Sequence, residues 1–509
     1  MPQKQPRSVS GPLHLDSILH GVDFVRRAGP NPAVMGVEYD SRRIREGSLF
    51  VAFRGGTTDG NRFVPQAIAQ GARTIVTDSA AGFAAATAHP GLAVVEVAHG
   101  RRALAALSAN LFAHPEAQLK LSGVTGTNGK TTTAFLLEAM LRNCGRKTVL
   151  AGTIEYHAAG RVFPAPHTTP ESRDLLELFR EGVDGGATEA VMEVSSHALD
   201  QERIAGLHFD VAIFTNLTRD HLDYHGTMEN YFAAKLKLFD GSLGTPPRVA
   251  ILNQDDAYGA MLKSHTHRSI VYTYGLHQGD FRAEKLQMNP AGMRFAMVTP
   301  FGEVPVATRL TGGVNVYNLL AAGAAASARG LTLDQVAQGA ASLDFVPGRF
   351  QSVDCGQDFA VVVDYAHTDD ALRNIIAAAR EFVSLRSGRV ITMFGCGGDR
   401  DRTKRPLMGR AAGAGSDVVV LTSDNPRGED PLAIIDQVLP GLSETSAPVI
   451  VEPDRRHAIE LAIAQARPGD LVLLAGKGHE KTQTIGGQVI PFDDVAIARQ
   501  VLRGRERSQ

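Results

Sequence analysis

From Lys120 to Leu141 the chain reads KLSGVTGTNGKTTTAFLLEAML. An apolar run meets a cluster of Gly, Thr and Asn, then one lysine, then an amphipathic helical pattern. A strand, glycine turn and helix in succession are the start of a βαβ unit, which commits this part of the chain to a parallel sheet. The turn has chemistry of its own. Gly123, Gly126 and Gly129 let backbone N–H groups turn toward one point without Cβ obstruction. The helix from Lys130 offers its N-terminal N–H groups and dipole to an anion. Lys130 is placed to reach the β- and γ-phosphates of a nucleotide, and the Thr131 hydroxyl to ligate Mg²⁺. The phosphate-binding stretch is Gly126, Thr127, Asn128, Gly129, Lys130, Thr131 and Thr132. The commonest loop of this kind, GxxxxGK, would have glycine at position 124; this chain has Val124.

At 509 residues the chain exceeds one core, and roughly 100–200 residues per domain suggests about three domains. The first, 1–100, alternates short strands (VMGVEYDS, SLFVAF, RTIVTD, LAVVEV) with a helix in NRFVPQAIAQGA. The second, 101–346, adds AVMEVSS, VAIFTNLT and RVAILNQDD, each an apolar strand ending in polar residues with helical patterns between. Within it Phe281–Leu310 has strands and turns but no intervening helix, which reads as a small antiparallel appendage. The third, 347–509, repeats a strand followed by a polar loop in FAVVVDYAHT, RVITMFGCGGDRD, DVVVLTSDNPRGED, APVIVEPDRR and DLVLLAGKGHE. The expected fold is α/β: a small N-terminal domain, a central P-loop ATPase-type parallel sheet and a C-terminal doubly wound, Rossmann-like domain. Ligands bind at the carboxyl ends of such strands, so DYAH, GDRD, DNPR and GKGHE should meet on one rim.

Bulk properties narrow the function classes. A formal charge of −2 points neither to nucleic acid nor to a membrane surface, and no basic stripe suggests a nucleic-acid motor. Cys144, Cys355 and Cys396 lie far apart without a CxxC pair, which argues against a disulfide framework or structural zinc. No stretch of about 18 apolar residues suggests a membrane span. MPQKQPRSVSGPLHLDS lacks an apolar signal core and reads as a short disordered lead. A cytoplasmic protein is expected.

The spacing GxxGTNGKTT resembles the Mur ligase family, the ATP-dependent amide-forming enzymes of peptidoglycan precursor synthesis, to which folylpolyglutamate synthetases are related. Further stretches carry the resemblance in order along nearly the whole chain. Glu193 ends the apolar strand of VMEVSSHALDQERIAG; a carboxylate there can face the phosphate loop and hold a hard cation. The run TNLTRDHLDYHGTMENYFAAKLKLF follows, with His221 and Lys235. The resemblance implies that Glu193 and His221 ligate a second Mg²⁺, and that Lys235 carries a carbamate (N6-carboxylysine) helping to position it. Lys130, Glu193, His221 and Lys235 are then the catalytic set. Asn318 in GVNVYNLLAA, Arg349 in PGRF and Asp364 in DYAHT match positions near the nucleotide. Two residues depart from the commoner pattern: Asp369 stands where proline follows DYAHT, and Val314 replaces a usual Phe before Asn315.

Thr168 and Thr169 in HTTPES, with Ser195, Gln201 and Arg203, resemble the family's contacts to the UDP-sugar peptide. Ser41 and Arg42 in YDSRRIREGSLFVAFRG resemble its uridine diphosphate site. The last loop sets the substrate. In SDNPRGED, Asp424, Asn425 and Arg427 follow an apolar strand; proline stiffens the turn and Arg427 offers a planar fork for a carboxylate. In this family DNPR marks addition of meso-diaminopimelate, and lysine-adding relatives lack the arginine. Diaminopimelate has one distal carboxylate more than lysine, and that group needs a cation. Arg400 in GGDRD, with Gly476 and Glu480 in GKGHE, resembles the remaining amino-acid contacts.

The resemblance implies an enzyme that uses ATP and Mg²⁺ to join meso-diaminopimelate to UDP-N-acetylmuramoyl-L-alanyl-D-glutamate through an acyl phosphate; a monomer is expected. Two alternatives are a muramyl ligase adding lysine or another amino acid, and a P-loop nucleotide-binding switch without ligase chemistry.

Overall fold

The computed structural model describes residues 11, 13–56, 58–289, 292–384 and 387–506. Three large sheets follow one another along the chain. The first has strand order Arg26–Ala28, Ala93–Glu96, Thr74–Thr77, Ser48–Ala52, Gly36–Glu38. It is parallel except for the edge strand Arg26–Ala28, which pairs antiparallel with Ala93–Glu96. The lead Met1–Ser10 lies outside the described residues. From Leu13 on the chain is folded, which corrects the expectation for the end of that stretch: Leu13–His14 pairs with Ala33–Val34, and Leu15 and Ile18 are fully buried.

The central sheet has eleven strands. Its parallel heart runs Thr148–Ala151, Glu189–Glu193, Lys120–Thr125, Phe209–Phe214, Val249–Asn253, Ile270–Gly275. Lys120–Thr125 sits in the middle, covered on both faces, and every residue of it after Lys120 is buried, Ser122 and Thr125 included. The antiparallel strands expected over Phe281–Leu310 are present and continue this sheet. Phe281 and Arg282 pair with Tyr274 and Gly275, and the chain then meanders through Gly292–Thr299 and Gly302–Thr308. Phe281, Phe295, Met297 and Val304 join the core beneath the helices Lys130–Asn143 and Gly313–Ala328. The opposite edge carries a hairpin, Glu155–Ala158 with Arg161–Pro164, that short polar sequence did not announce. Residues of the first sheet share a core with the other face of the central sheet. The helix Gly100–Leu111 packs against the first sheet and against the helix Ser172–Asp184 of the central domain.

In the third sheet the order is Gln351–Ser352, Ala360–Asp364, Leu471–Ala475, Val390–Cys396, Val418–Ser423, Val449–Val451. All but the first strand are parallel. The last parallel strand is inserted between the first two. That insertion brings the loops after Asp364, Ala475, Cys396 and Ser423 side by side at the carboxyl ends, although more than a hundred residues of chain separate the neighbours Asp364 and Ala475. Apolar cores cover both faces. A fully buried pair, Arg455–Asp494 at 2.6 Å, ties the helix Arg455–Ala464 to the start of the last helix, Asp494–Glu506. Beyond the sheet stands a separate hairpin, Thr482–Ile485 with Gln488–Pro491. Among the described residues no helix is long and apolar enough to cross a membrane.

Candidate active site

The phosphate-type loop connects Lys120–Thr125 to the helix Lys130–Asn143. Two of its glycines are required sterically. Gly126 has φ +149°, and a Cβ there would lie 1.8 Å from Thr215 Oγ1; Gly129 has φ +84°, and a Cβ would lie 2.5 Å from Asn318 Oδ1. Gly123 does something else. It lies within the strand, where a Cβ would meet the Phe209 ring at 2.7 Å, so its smallness serves packing rather than the loop. The loop is pinned from the neighbouring strand end: Asn128 N donates to Asn216 Oδ1 (2.9 Å), and Thr215 Oγ1 donates to Asn128 O (2.6 Å). Lys130 Nζ donates to the carbonyls of Gly126 (2.9 Å) and Thr127 (2.8 Å). Burial lowers its pKa, against the pull of Glu193 and Asp220.

This loop floors a cleft of about 520 Å³ between the central and C-terminal domains. The structure brings Thr127, Asn128, Gly129, Lys130, Thr131, Thr132, Thr168, Glu193, Ser195, His221, Asn318, Arg349 and Asp364 to its walls. Glu193 stands at the carboxyl end of its strand as expected. Its carboxylate accepts from Thr131 Oγ1 (3.1 Å), Thr153 N (2.7 Å) and Thr153 Oγ1 (3.0 Å). Thr153 is a site residue that sequence reasoning missed; AGTIEY has no signal beyond a strand end. From the C-terminal domain Arg349 Nη2 donates to Thr131 Oγ1 (3.2 Å). Asp364 is buried, which raises its pKa, and it accepts from the backbone N–H of Phe350 (2.7 Å) and Ala366 (2.8 Å). Asn318 accepts from Thr133 Oγ1 (3.2 Å) and donates to Asn315 (3.0 Å).

His221 adopts a left-handed φ of +53°, with its N–H on Asp220 (2.8 Å) and its ring 4.8 Å from that of His197. Burial pushes its pKa down to about 4, so the imidazole is neutral near pH 7 with a lone pair to offer. Lys235 lies behind the loop rather than on the wall. It is 1% exposed, and its Nζ donates to Gly126 O (2.8 Å) 4.7 Å from the Tyr231 ring centre. Burial, with Lys130 nearby, lowers its pKa well below the usual lysine value. Thr169, Gln201 and Arg203 form a bracket beside the cleft: Ser195 N donates to Thr169 Oγ1 (3.0 Å), and Arg203 donates to Thr169 O (3.0 Å) and Gln201 Oε1 (2.8 Å). Ser41 and Arg42 lie elsewhere, in the first domain. Ser41 Oγ donates inward to Gln66 Oε1 (3.0 Å), while the exposed Arg42 pairs with Asp40 (2.7 Å).

The amino-acid candidates gather on the rim of the third sheet. Asn425 Nδ2 donates to Glu480 Oε2 (2.8 Å). Lys477, fully buried, donates to Asn425 Oδ1 (3.0 Å) and Glu480 Oε2 (3.0 Å) and lies 3.6 Å from Asp424 Oδ1. This lysine of GKGHE was overlooked; a lysine between glycines at a strand end was the available signal. Gly476, at φ +114°, turns the chain into this cluster. Arg427 Nη1 donates to Gly398 O (2.8 Å), joining the DNPR loop to GGDRD. Arg400 is exposed, with Nη1 on Asp399 O (3.1 Å). The cluster connects to the cleft through rings. Arg349 sits 4.7 Å over Tyr365, whose ring lies 5.0 Å from His479.

Among the described residues no group of three or more His, Cys, Asp or Glu is placed to hold a metal ion. The cleft does present a hydroxyl, a carboxylate and a neutral imidazole, in Thr131, Glu193 and His221. Such a sparse, oxygen-rich set fits Mg²⁺, which keeps several waters and completes its shell with substrate phosphates.

Known proteins match this arrangement along the chain. Family models described as Mur ligase family, catalytic domain, Mur ligase middle domain, and Mur ligase, glutamate ligase domain match residues 33–111, 124–326 and 348–478. A relative from Solibacter usitatus, named UDP-N-acetylmuramoyl-L-alanyl-D-glutamate--2,6-diaminopimelate ligase, is 51% identical over 97% of this chain and 99% of its own length. A solved structure of a ligase of the same name is 32% identical, with a TM-score of 0.68, over 97% of this chain and 99% of that one. The MurF ligase of Thermotoga maritima in complex with ADP is alike in fold: 20% identity, TM-score 0.63, 92% of this chain and 97% of that one.

Proposed function

The chain belongs to the Mur ligase family, and from that premise we propose how its geometry makes an amide. It is an ATP-dependent ligase that joins meso-diaminopimelate to UDP-N-acetylmuramoyl-L-alanyl-D-glutamate. One observation supports this reading above the others. Arg427, Asn425, Lys477 and Glu480 cluster on the rim of the third sheet, and the contacts His479–Tyr365–Arg349 connect that rim to the nucleotide cleft.

A carboxylate oxygen is a poor leaving group, so the dipeptide's carboxylate first attacks the γ-phosphorus of ATP. The P–O bond to ADP breaks and an acyl phosphate forms. The amine of diaminopimelate then attacks the acyl carbon, inorganic phosphate leaves, and the amine proton passes to solvent or phosphate. Little covalent work falls to the protein, so positioning and electrostatics dominate. The loop N–H groups and Lys130 spread the charge of the transferring phosphoryl group. Arg349 approaches the same point from the opposite domain. Thr131, Glu193 and His221 would hold Mg²⁺, which when bound neutralises charge on the phosphates. Burial lowers the pKa of Lys235, the direction that favours the neutral amine needed for carbamylation by CO₂. The bracket of Thr168, Thr169, Ser195, Gln201 and Arg203 offers hydroxyl, amide and guanidinium groups to the peptide of the UDP-sugar, with Ser41 and Arg42 toward its uridine diphosphate. Arg427 reads the distal carboxylate of diaminopimelate, and Asn425, Glu480 and Arg400 its other polar groups. The reading includes a monomer, which sedimentation of the purified chain checks, and a cytoplasmic location, which fractionation of cells checks.

ADP release tests the function. The UDP-dipeptide is supplied with ATP, Mg²⁺ and either diaminopimelate or lysine. Release dependent on diaminopimelate, and weak with lysine, is expected. Slow release indifferent to both amino acids would instead indicate a nucleotide switch.

A further inference from the structure

The hairpin Thr482–Ile485 with Gln488–Pro491 belongs to none of the three large sheets, and the reaction above gives it no task. Its first strand is nevertheless bonded along the DNPR loop. Gln483, 4% exposed, donates through Nε2 to Asp424 O (2.7 Å). Thr484 N donates to Asn425 Oδ1 (3.1 Å). Arg427 N donates to Thr484 O (3.0 Å), and Gly486 N donates to Arg427 O (2.8 Å). Arg427 and Ile485 thereby form an isolated parallel bridge. Lys477 Nζ adds a bond to Thr482 O (2.8 Å).

These bonds hold Arg427 in a backbone state that it would not choose. Its φ is +54°, in the left-handed region that residues with a Cβ occupy only at a cost. Hydrogen bonds on both sides of the residue offset that cost. The same state sends the side chain back across the loop, so that Nη1 reaches Gly398 O. An Arg427 relaxed to negative φ would carry its guanidinium away from that position. The turn of the hairpin places Gly486 at φ +55° and Gly487 at φ +78°, a conformation that glycine adopts at no steric cost.

We propose that this hairpin is the specificity element of the amino-acid pocket: it clamps the backbone of Arg427 so that the guanidinium stands where a second carboxylate arrives. Gln483 and Gly486 are positioning residues that act through Arg427. The inference rests on the proposed reading of Arg427 as the distal-carboxylate contact, and its ligand class is a diamino diacid rather than a diamino monoacid.

Gly486 gives a clean test, because a Cβ there would meet nothing within 4 Å. A substitution therefore probes backbone conformation, not packing. Asn tolerates the left-handed region and Val does not. KM and kcat for ADP release are measured with diaminopimelate, lysine, ATP and UDP-dipeptide for the unaltered protein, Gly486→Val, Gly486→Asn and Gln483→Ala. In Gly486→Val the KM for diaminopimelate should rise about tenfold or more, the loss of one charge-assisted contact. The KM for ATP and the use of lysine should stay within about twofold. Gly486→Asn should behave like the unaltered protein, and Gln483→Ala should move the same KM by a smaller factor. An unchanged diaminopimelate KM in Gly486→Val overturns the inference. So does a parallel rise in every KM, which marks a merely structural role. Should Gly486→Val fail to fold, Gln483→Ala decides by the same criterion. If the unaltered protein ignores diaminopimelate, the functional reading itself fails, and this is seen before any variant is compared.

Discussion

The nucleotide cleft and the amino-acid cluster are built in opposite ways. The cleft lies between two domains. Its polar links across the gap include Arg349 to Thr131 (3.2 Å), Asn128 to Asp370 (3.0 Å) and Arg219 to Asp369 (2.7 Å). Each is a single contact beside an open volume. The cluster lies within one domain. Lys477 is fully buried among Asp424, Asn425 and Glu480, and a hairpin strand backs the whole loop. The difference teaches where adaptability resides. Domain closure can reshape the nucleotide cleft around its ligand, whereas the proposed amino-acid pocket is held within one domain by its own hydrogen bonds.

Breaking the cleft side should give the largest effect. Lys130→Ala should lower kcat for ADP release about a thousandfold, with an unchanged melting temperature. On the other side, Lys477→Met removes a buried cation and leaves Asp424 and Glu480 uncompensated. It should destabilise the protein by about 3 kcal/mol, read as a lower first thermal transition, with nucleotide affinity retained. A fall in ATP affinity as large as the fall in stability would erase the contrast. The link between the regions can be weakened selectively. Asp369→Asn loses the pairs with Arg219 (2.7 Å) and Arg373 (2.9 Å). Its effect should be about 1 kcal/mol, a rise of roughly fivefold in KM for ATP, shrinking at high salt. The KM for diaminopimelate should not move.

The smallest effect is a control away from both sites. On the edge hairpin of the central sheet, His157 bonds Glu138 (2.8 Å) and Glu155 (3.0 Å). Burial alone would lower its pKa, but the two carboxylates together raise it above the ordinary histidine value. Its charged pairing therefore stabilises the fold at pH below the unfolded pKa and is lost as pH rises through the higher folded one. His157→Gln should cost less than about 1 kcal/mol. Thermal melts across pH should show the cost at acidic pH and its disappearance in alkali, with both KM values unaffected.

The same contrast explains what could be read from the residues. The phosphate loop was legible because its chemistry is local: Gly126 and Gly129 take positive φ (+149° and +84°) in the turn itself, a conformation that calls for glycine. The convergence of DYAH, DNPR and GKGHE was legible because parallel strands deliver their loops to one edge. What escaped depends on distant partners. Gly123 looks like part of the loop but is shaped by the Phe209 ring. Thr153 matters only because Glu193 reaches it. Asp369, visible as a departure from the family pattern, became interpretable once Arg219 of the central domain was seen beside it. The hairpin behind Arg427 has no side-chain signature, since most of its grip is backbone.

The central claim is that a preorganised arginine in the C-terminal domain chooses the diacid independently of the nucleotide. Its most direct measurement is the ratio of kcat/KM for diaminopimelate over lysine in the unaltered protein and in Arg427→Ala. The account predicts that the ratio collapses by about tenfold to a hundredfold through loss of activity on diaminopimelate, with ATP affinity held. An unchanged ratio, or equal losses on both amino acids, would contradict it.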